Sequence, residues 1–444
     1  MKVAIVGAGK LGYKIAETLF DDNYVIIIDK NERVLERVSE QLDVLTIKSN
    51  GLQTELLNEL DISSCDLVIA VTNADETNMI ICMIAKKLGC KNTIARIRNP
   101  EYVKQSDLIK KSMHIDHIVN PELATADEIV RYLVKGYALH TEDFALGKVS
   151  LIDFNINHFP DLIGQKIMDL KNMENILIVA ISRNGEIIIP HGGVVLQKND
   201  ILYLIGKKES LDRLIKKEKI CLERPYVKNV MILGGGKIGY YLANKLDTLG
   251  IQVKIIEIDK ERCHYLSEQL NNPLIILGDG TDINLLEEED ISSMDAFVSV
   301  TDYDEENLLM ALVAKQYGVN NIVAKISRAS YSQIIERLGI DIALNPVNIA
   351  TGDILKFIRG RKVAAVSLLL QGQAEVLEII ISENMNITEK PISKLNLPKG
   401  IILGSIVRDE TVIIPKGDTR IYPKDRIIVF CLQSKIHALE KFLR

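Results

Sequence analysis

Tryptophan is absent from the 444-residue sequence and aromatic residues make up only 5% of it, so a surface on which nucleic-acid bases stack is disfavoured. There is no excess of positive charge either. Lys and Arg number 54 against 60 Asp and Glu, a net charge of −6, which removes the electrostatic footprint of a general DNA or RNA binder. The six cysteines (Cys65, Cys82, Cys90, Cys221, Cys263, Cys431) form no C-x-x-C pair and read as reduced thiols, mostly packing residues, in a reducing compartment. No apolar run approaches the roughly 18 residues of a membrane-spanning helix, and MKVAIVGAG has no charged n-region or cleavage site ahead of it. The expectation is a soluble, cytoplasmic protein whose membrane role, if it has one, runs through a partner. What is present is ordinary globular material, 47% hydrophobic and 26% charged, enough for about two to four domains.

The sequence is written twice. Gly7-Ala8-Gly9-Lys10-Leu11-Gly12 recurs as Gly234-Gly235-Gly236-Lys237-Ile238-Gly239, an offset of 227. Asp29 answers to Glu257 (offset 228), Thr72 to Thr301 (229) and Asn120-Pro121 to Asn345-Pro346 (225). Arg183 with Arg408, Pro190 with Pro415 and Asp200 with Asp425 keep the offset of 225.

Each copy has two textures. Residues 1–122 alternate apolar runs (KVAIVGAG, VIIID, CDLVIAVT, NTIARI) with helical stretches, the pattern of βαβ units around a parallel sheet. The runs are apolar without alternation, as in strands covered on both faces. Residues 140–223 are β-rich, with VSLIDFNI, ILIVAISRNGEIIIP and DILYLIG, a hairpin at Asn184-Gly185 and a closing helix near Ser210–Lys217. Residues 228–346 and 363–444 repeat the two textures. Pro121–Tyr137 has helical spacing and joins the two parts, and Arg224-Pro225 marks the boundary between copies. The expected fold class is α/β: two tandem Rossmann-like, doubly wound parallel-sheet domains, each followed by a small α+β domain.

Each glycine loop follows a predicted strand and opens a predicted helix, the context a dinucleotide fingerprint requires. Gly7 and Gly234 allow the tight turn, Gly9 and Gly236 let the backbone approach a pyrophosphate, and Gly12 and Gly239 let helix and strand pack. The helix start at Lys10-Leu11 or Lys237-Ile238 offers N–H groups to the phosphates. Asp29 and Glu257 end the next strand, where a carboxylate accepts hydrogen bonds from ribose hydroxyls and repels a 2′-phosphate. After the third strand stand Asn50 and Asp279, read either as adenine contacts or as turn residues. Thr72, Asn73, Asp75, Glu76 and Asn78, with Thr301, Asp302, Asp304, Glu305 and Asn307, follow the fourth strand and face the crevice or cap the following helix. Arg96 and Arg98 close the fifth strand, against Lys325 and Arg328, as partners for a terminal phosphate or for nearby acids.

Catalytic machinery is not legible. Gly12 and Gly239 are each followed by Tyr instead of Lys-Ser/Thr, so neither loop is a P-loop. The seven histidines lack metal spacing; His114 and His117 lie three apart. Tyr241-x-x-x-Lys245 matches a dehydrogenase pair but lies in the helix directly after the loop, where it packs or meets solvent. The residues describe ligand binding without covalent chemistry, a catalytic or a metal site being assigned to none of them.

The order and duplication of VAIVGAGKLG, IIID, AVTNADETNM and IARIRNPEY, then VMILGGGKIG, IIE, LGDGTD and SVTDYDEEN, with SRNGEIIIPHG and VRDETVIIPKG, resemble the TrkA family, the peripheral regulatory subunits of bacterial and archaeal Trk potassium-uptake systems. The resemblance covers the whole chain as two RCK units, each a KTN domain followed by a TrkA-C domain. It implies binding of NAD(H) and of ATP or ADP, a homotetrameric ring, and attachment to the inner face of the cell membrane through a potassium-translocating subunit. Carried over by residue, Gly7, Gly9, Gly12, Asp29, Thr72 and Arg98 line the first site, and Gly234, Gly236, Gly239, Glu257 and Asp279 the second. Ser49-Asn50 departs from the Gly-Asp that many such units carry. An NAD-dependent oxidoreductase and a stand-alone nucleotide sensor of another transporter are the alternative readings.

Overall fold

The computed structural model describes all residues except 136–139, 171–172, 184–185, 218–226, 329–330, 332–337, 339, 360–362, 370–372, 384, 386 and 444. Cys221, the Asn184-Gly185 turn and the Arg224-Pro225 boundary lie outside the described residues.

The apolar runs of the first copy become β1 (Lys2–Val6), β2 (Tyr24–Asp29), β3 (Leu45–Lys48), β4 (Leu67–Ala70), β5 (Asn92–Arg96) and β6 (His117–Val119). They form one sheet in the order β3-β2-β1-β4-β5-β6, parallel throughout. Val3 to Val6 and Val25 to Ile28 are buried, because helices cover both faces of such a sheet. The order reverses between β1 and β4, so their carboxyl ends open the crevice in which doubly wound sheets bind ligands.

The small β-rich domain holds β7 (His140–Phe144), β8 (Val149–Asn155), β9 (Ile176–Arg183), β10 (Glu186–Ile188) and β11 (Ile201–Lys207), antiparallel in the order β10-β9-β11-β8-β7. The second copy repeats both sheets. Strands β12 (Asn229–Leu233), β13 (Gln252–Glu257), β14 (Leu274–Leu277), β15 (Ala296–Ser299), β16 (Asn321–Lys325) and β17 (Ile342–Leu344) reproduce the parallel order. Strands β18 (Val363–Leu369), β19 (Ala374–Ile380), β20 (Ile401–Arg408), β21 (Thr411–Ile413) and β22 (Arg426–Leu432) reproduce the antiparallel one. The fold is thus two tandem Rossmann-like domains, each followed by a small α+β domain.

Compactness does not follow the repeat. One unit comprises Met1–Ala124 with Pro346–Ile358, the other Thr125–Asn345 with Arg359–Arg444. The segment Pro121–Tyr137, read as a connector, is a helix over Pro121–Lys135, answered in the second copy by Pro346–Arg359. The second of these helices belongs with the first Rossmann sheet. There Asp353 meets the His117 ring at 3.0 Å and Phe357 stacks on it at 5.1 Å. In the other unit Asp127 of the first helix pairs with Lys245 at 2.6 Å. That unit also has the inner faces of the two antiparallel sheets share one core, with Leu151, Val179, Ile205, Val376, Val407 and Phe430.

Candidate functional site

Strand β1 ends at Val6 and the chain turns at Gly7, whose φ of +107° favours glycine. A Cβ on Gly12 would lie 1.8 Å from the Gly7 carbonyl oxygen, so helix Lys10–Leu19 can start against the strand end only because residue 12 has no side chain. A Cβ on Gly9, by contrast, would meet nothing within 4 Å. That open space over the backbone is a cradle of the kind a pyrophosphate occupies. The helix carries neither a side-chain cap nor an acidic residue in its first turn, which leaves its N–H groups and positive dipole end to an anion. Lys10 is exposed and Leu11 buried, so Leu11 can offer a ligand its backbone N–H but not its side chain.

The second loop repeats this. Gly234 has φ +102°, the Gly239 position is closed by the Gly234 oxygen at 2.1 Å, and Gly236 opens on free space. Helix Lys237–Thr248 is uncapped and free of acid at its start, with Lys237 exposed and Ile238 buried.

Asp29 stands at the end of β2, directly beside the loop. Its Oδ2 accepts the Ala8 N–H at 2.7 Å and its Oδ1 the Asn31 N–H at 2.8 Å. Glu257 accepts from Gly235 N at 2.8 Å and Asp259 N at 2.9 Å. Each carboxylate is therefore a strut of the loop as well as a candidate ribose acceptor. A carboxylate offers about four lone-pair directions, so two remain for hydroxyls.

Across the crevice, Thr72 and Thr301 are held by residues that the sequence reading grouped with them but did not distinguish. Fully buried Asn78 accepts from Thr72 N at 2.8 Å and Thr72 Oγ1 at 2.7 Å, and donates to the Thr72 and Arg96 carbonyls. Asn307 does the same for Thr301 and Lys325. Their spacing of six from the threonine is a usable signal once the role is known. Asn50 and Asp279 both make turn bonds: Asn50 Oδ1 accepts from Leu52 N, and Asp279 Oδ1 from the backbone and hydroxyl of Thr281. Those two bonds hold the Asp279 carboxyl below its ordinary range.

Two of the acids after the fourth strand, Asp75 and Asp304, are structural anchors. Asp75 Oδ2 accepts from Arg98 N and Asn99 N, and Asp304 Oδ2 from Ser327 N and Arg328 N. This register corrects one pairing: Arg98 corresponds to Ser327, and Arg328 to Asn99. The first crevice therefore has a guanidinium, near Asp75 at 3.6 Å and Glu122 at 3.7 Å, where the second has a hydroxyl. Burial, with Arg98 alongside, pulls the Arg96 guanidinium down to about 10.

His114 ends helix Ser106–Met113 as a left-handed cap, and Tyr241 is buried while Lys245 holds Asp127. Burial pushes the Cys65 thiol up to about 11 and the Cys82 thiol higher, so neither is a nucleophile at neutral pH. Among the described residues no helix is long and apolar enough to cross a membrane.

Two family models match in alternation: TrkA-N domain over residues 3–121 and 230–346, and TrkA-C domain over 151–219 and 376–444. The Trk system potassium uptake protein TrkA homolog 1 of Methanosarcina mazei is 38% identical, with all of both chains covered. The TrkA homolog of Archaeoglobus fulgidus is 36% identical, also over all of both chains. TrkA of Vibrio alginolyticus is 32% identical over 98% of this chain and 96% of its own. Among solved structures, the GsuK channel bound to NAD aligns with a TM-score of 0.63 at 17% identity, covering all of this chain and 78% of that one. That likeness concerns the fold.

Proposed function

The chain belongs to the TrkA family, and from that premise we propose that it is the regulatory, gating subunit of a potassium-uptake transporter. It binds NAD(H) and ATP or ADP at its two Rossmann crevices, assembles as a homotetrameric ring and attaches to the cytoplasmic face of the membrane through the ion-translocating subunit. The observation that carries this reading is a duplicated one. Twice in one chain an uncapped helix start, an open glycine position and a loop-tethered carboxylate converge at the switch point of a parallel sheet. Gly7, Gly9, Gly12, the Lys10 and Leu11 amides, Asp29, Thr72 and Arg98 would hold the ligand in the first crevice. Gly234, Gly236, Gly239, the Lys237 and Ile238 amides, Glu257, Thr301 and Asp279 would do so in the second.

Control requires no covalent step. A nucleotide shifts a conformational equilibrium only by the difference in its affinity for the two states, and a membrane subunit that favours one state changes nucleotide affinity by the same factor. The helices Pro121–Lys135 and Pro346–Arg359 follow directly on β6 and β17, the last strands of the sheets that carry the crevices.

The test is calorimetry with NADH and with ATP on the full chain and on Asp29→Ala combined with Glu257→Ala, followed by co-purification with the membrane subunit with and without each nucleotide. The variant should lose at least about tenfold in affinity, about 1.4 kcal/mol. Unchanged affinities would remove both crevices from the proposal.

A further inference from the structure

The two crevices share a backbone but not a rim. Where β13 and β14 end, the second carries three large aliphatic side chains in the open: Ile258 at 69% exposure, Leu277 at 53% and Ile283 at 45%. Leu277 pairs in register with Glu257, and Ile258 is the next residue in the chain. The register of the repeat puts Lys30, Lys48 and Thr54 at these places in the first crevice. All three are exposed, and Lys48 is engaged by Glu32 at 2.7 Å. A second difference lies beside the loop. Arg262 donates from Nε to the Gly235 carbonyl at 2.6 Å and from Nη2 to the Gly236 carbonyl at 3.1 Å, with its guanidinium 4.6 Å over the Tyr265 ring. In the first copy Val34 and Arg37 occupy those positions, and Val34 has no side-chain donor with which to make this bridge.

We infer that the two crevices are not equivalent: the second is the high-affinity adenine-nucleotide site, and the first binds the same compounds more weakly. The inference rests on the nucleotide reading above and adds a ranking to it. With pyrophosphate on the glycine loop and ribose at the carboxylate, the purine lies beyond the carboxylate, over the ends of the second and third strands. In the second crevice it would cover aliphatic surface that is otherwise in water. A guanidinium already stacked and hydrogen-bonded needs no further ordering to bind next to it. In the first crevice the same ring would lie over the charged side chains of Lys30 and Lys48, with no comparable aliphatic surface to cover. Covering part of the aliphatic rim is worth about a factor of ten in affinity.

The experiment is titration of the full chain with ADP. Wild type should show two classes of site separated by about tenfold or more. Ile258→Lys with Leu277→Lys should weaken the tight class to the level of the other, and Lys30→Ile with Lys48→Leu should tighten the weak class. All four side chains are exposed, and the second pair reads a gain, which a misfolded variant cannot mimic. A single class of equivalent sites, or a tight class untouched by the Ile258/Leu277 pair, overturns the ranking alone. No heat with ADP or NADH overturns the nucleotide reading and the ranking with it.

Discussion

Gly9 and Gly12 are three residues apart in one loop and meet opposite constraints. Residue 12 faces the Gly7 carbonyl, and a methyl group there would sit 1.8 Å from that oxygen. Gly12→Ala must push the helix off the strand end, at a cost of about 1–3 kcal/mol, and should lower the melting temperature. Gly9 has an ordinary φ of −65° and empty space around it. Gly9→Ala should change stability by less than about 1 kcal/mol while its methyl group takes the place of a diphosphate. Thermal melts and ADP titrations of the two variants separate these roles: only Gly12→Ala should melt early, and Gly9→Ala should bind less tightly while melting like the wild type.

At the level of elements, the small domains are closed by an ion pair whose partners appear in the sequence only as matching landmarks. Arg183 grips Asp200 through Nε at 2.8 Å and Nη2 at 2.7 Å, and Asp200 also accepts from Gln197 N. Arg408, Asp425 and Tyr422 N repeat the arrangement. Asp200 and Asp425 are buried, whereas the two arginines are 21% and 34% exposed. Removing one partner of a fully buried pair costs about 3–5 kcal/mol, and the partial exposure of the guanidinium puts Asp200→Ala near the lower end of that range. Denaturant unfolding measures this cost. Asp200→Leu combined with Arg183→Met should recover much of it, since no charge is then left buried alone.

At the scale of the molecule, neither small domain buries both faces of its sheet by itself. Val149, Leu151, Val179 and Ile205 from the first sheet pack with Ala374, Val376, Val407 and Phe430 from the second, and a Cβ on Gly404 would come within 2.9 Å of Ile205. A fragment ending at Lys217 keeps one half of this contact and leaves its apolar face in water. Sedimentation should find that fragment self-associated, and a monodisperse monomer would show that the shared core is dispensable.

The sequence by itself determined the repeat, the alternation of parallel and antiparallel sheets, and the glycines and carboxylates of the candidate crevices. These depend on local chemistry: a turn with positive φ, a strand covered on both faces, and a carboxylate placed one strand away from the loop. It did not reveal that Asn78 and Asn307 clamp the strand ends. One asparagine among several polar neighbours carries no periodic signal, and its partners at Thr72 and Arg96 are assembled only by the sheet. Nor did it disclose the role of His117, whose partners Asp353 and Phe357 lie more than two hundred residues away. Only the tertiary structure decided which helix packs on which sheet. The two connecting helices occupy matching places in the repeat, so a local pattern cannot distinguish packing within a repeat from exchange between repeats.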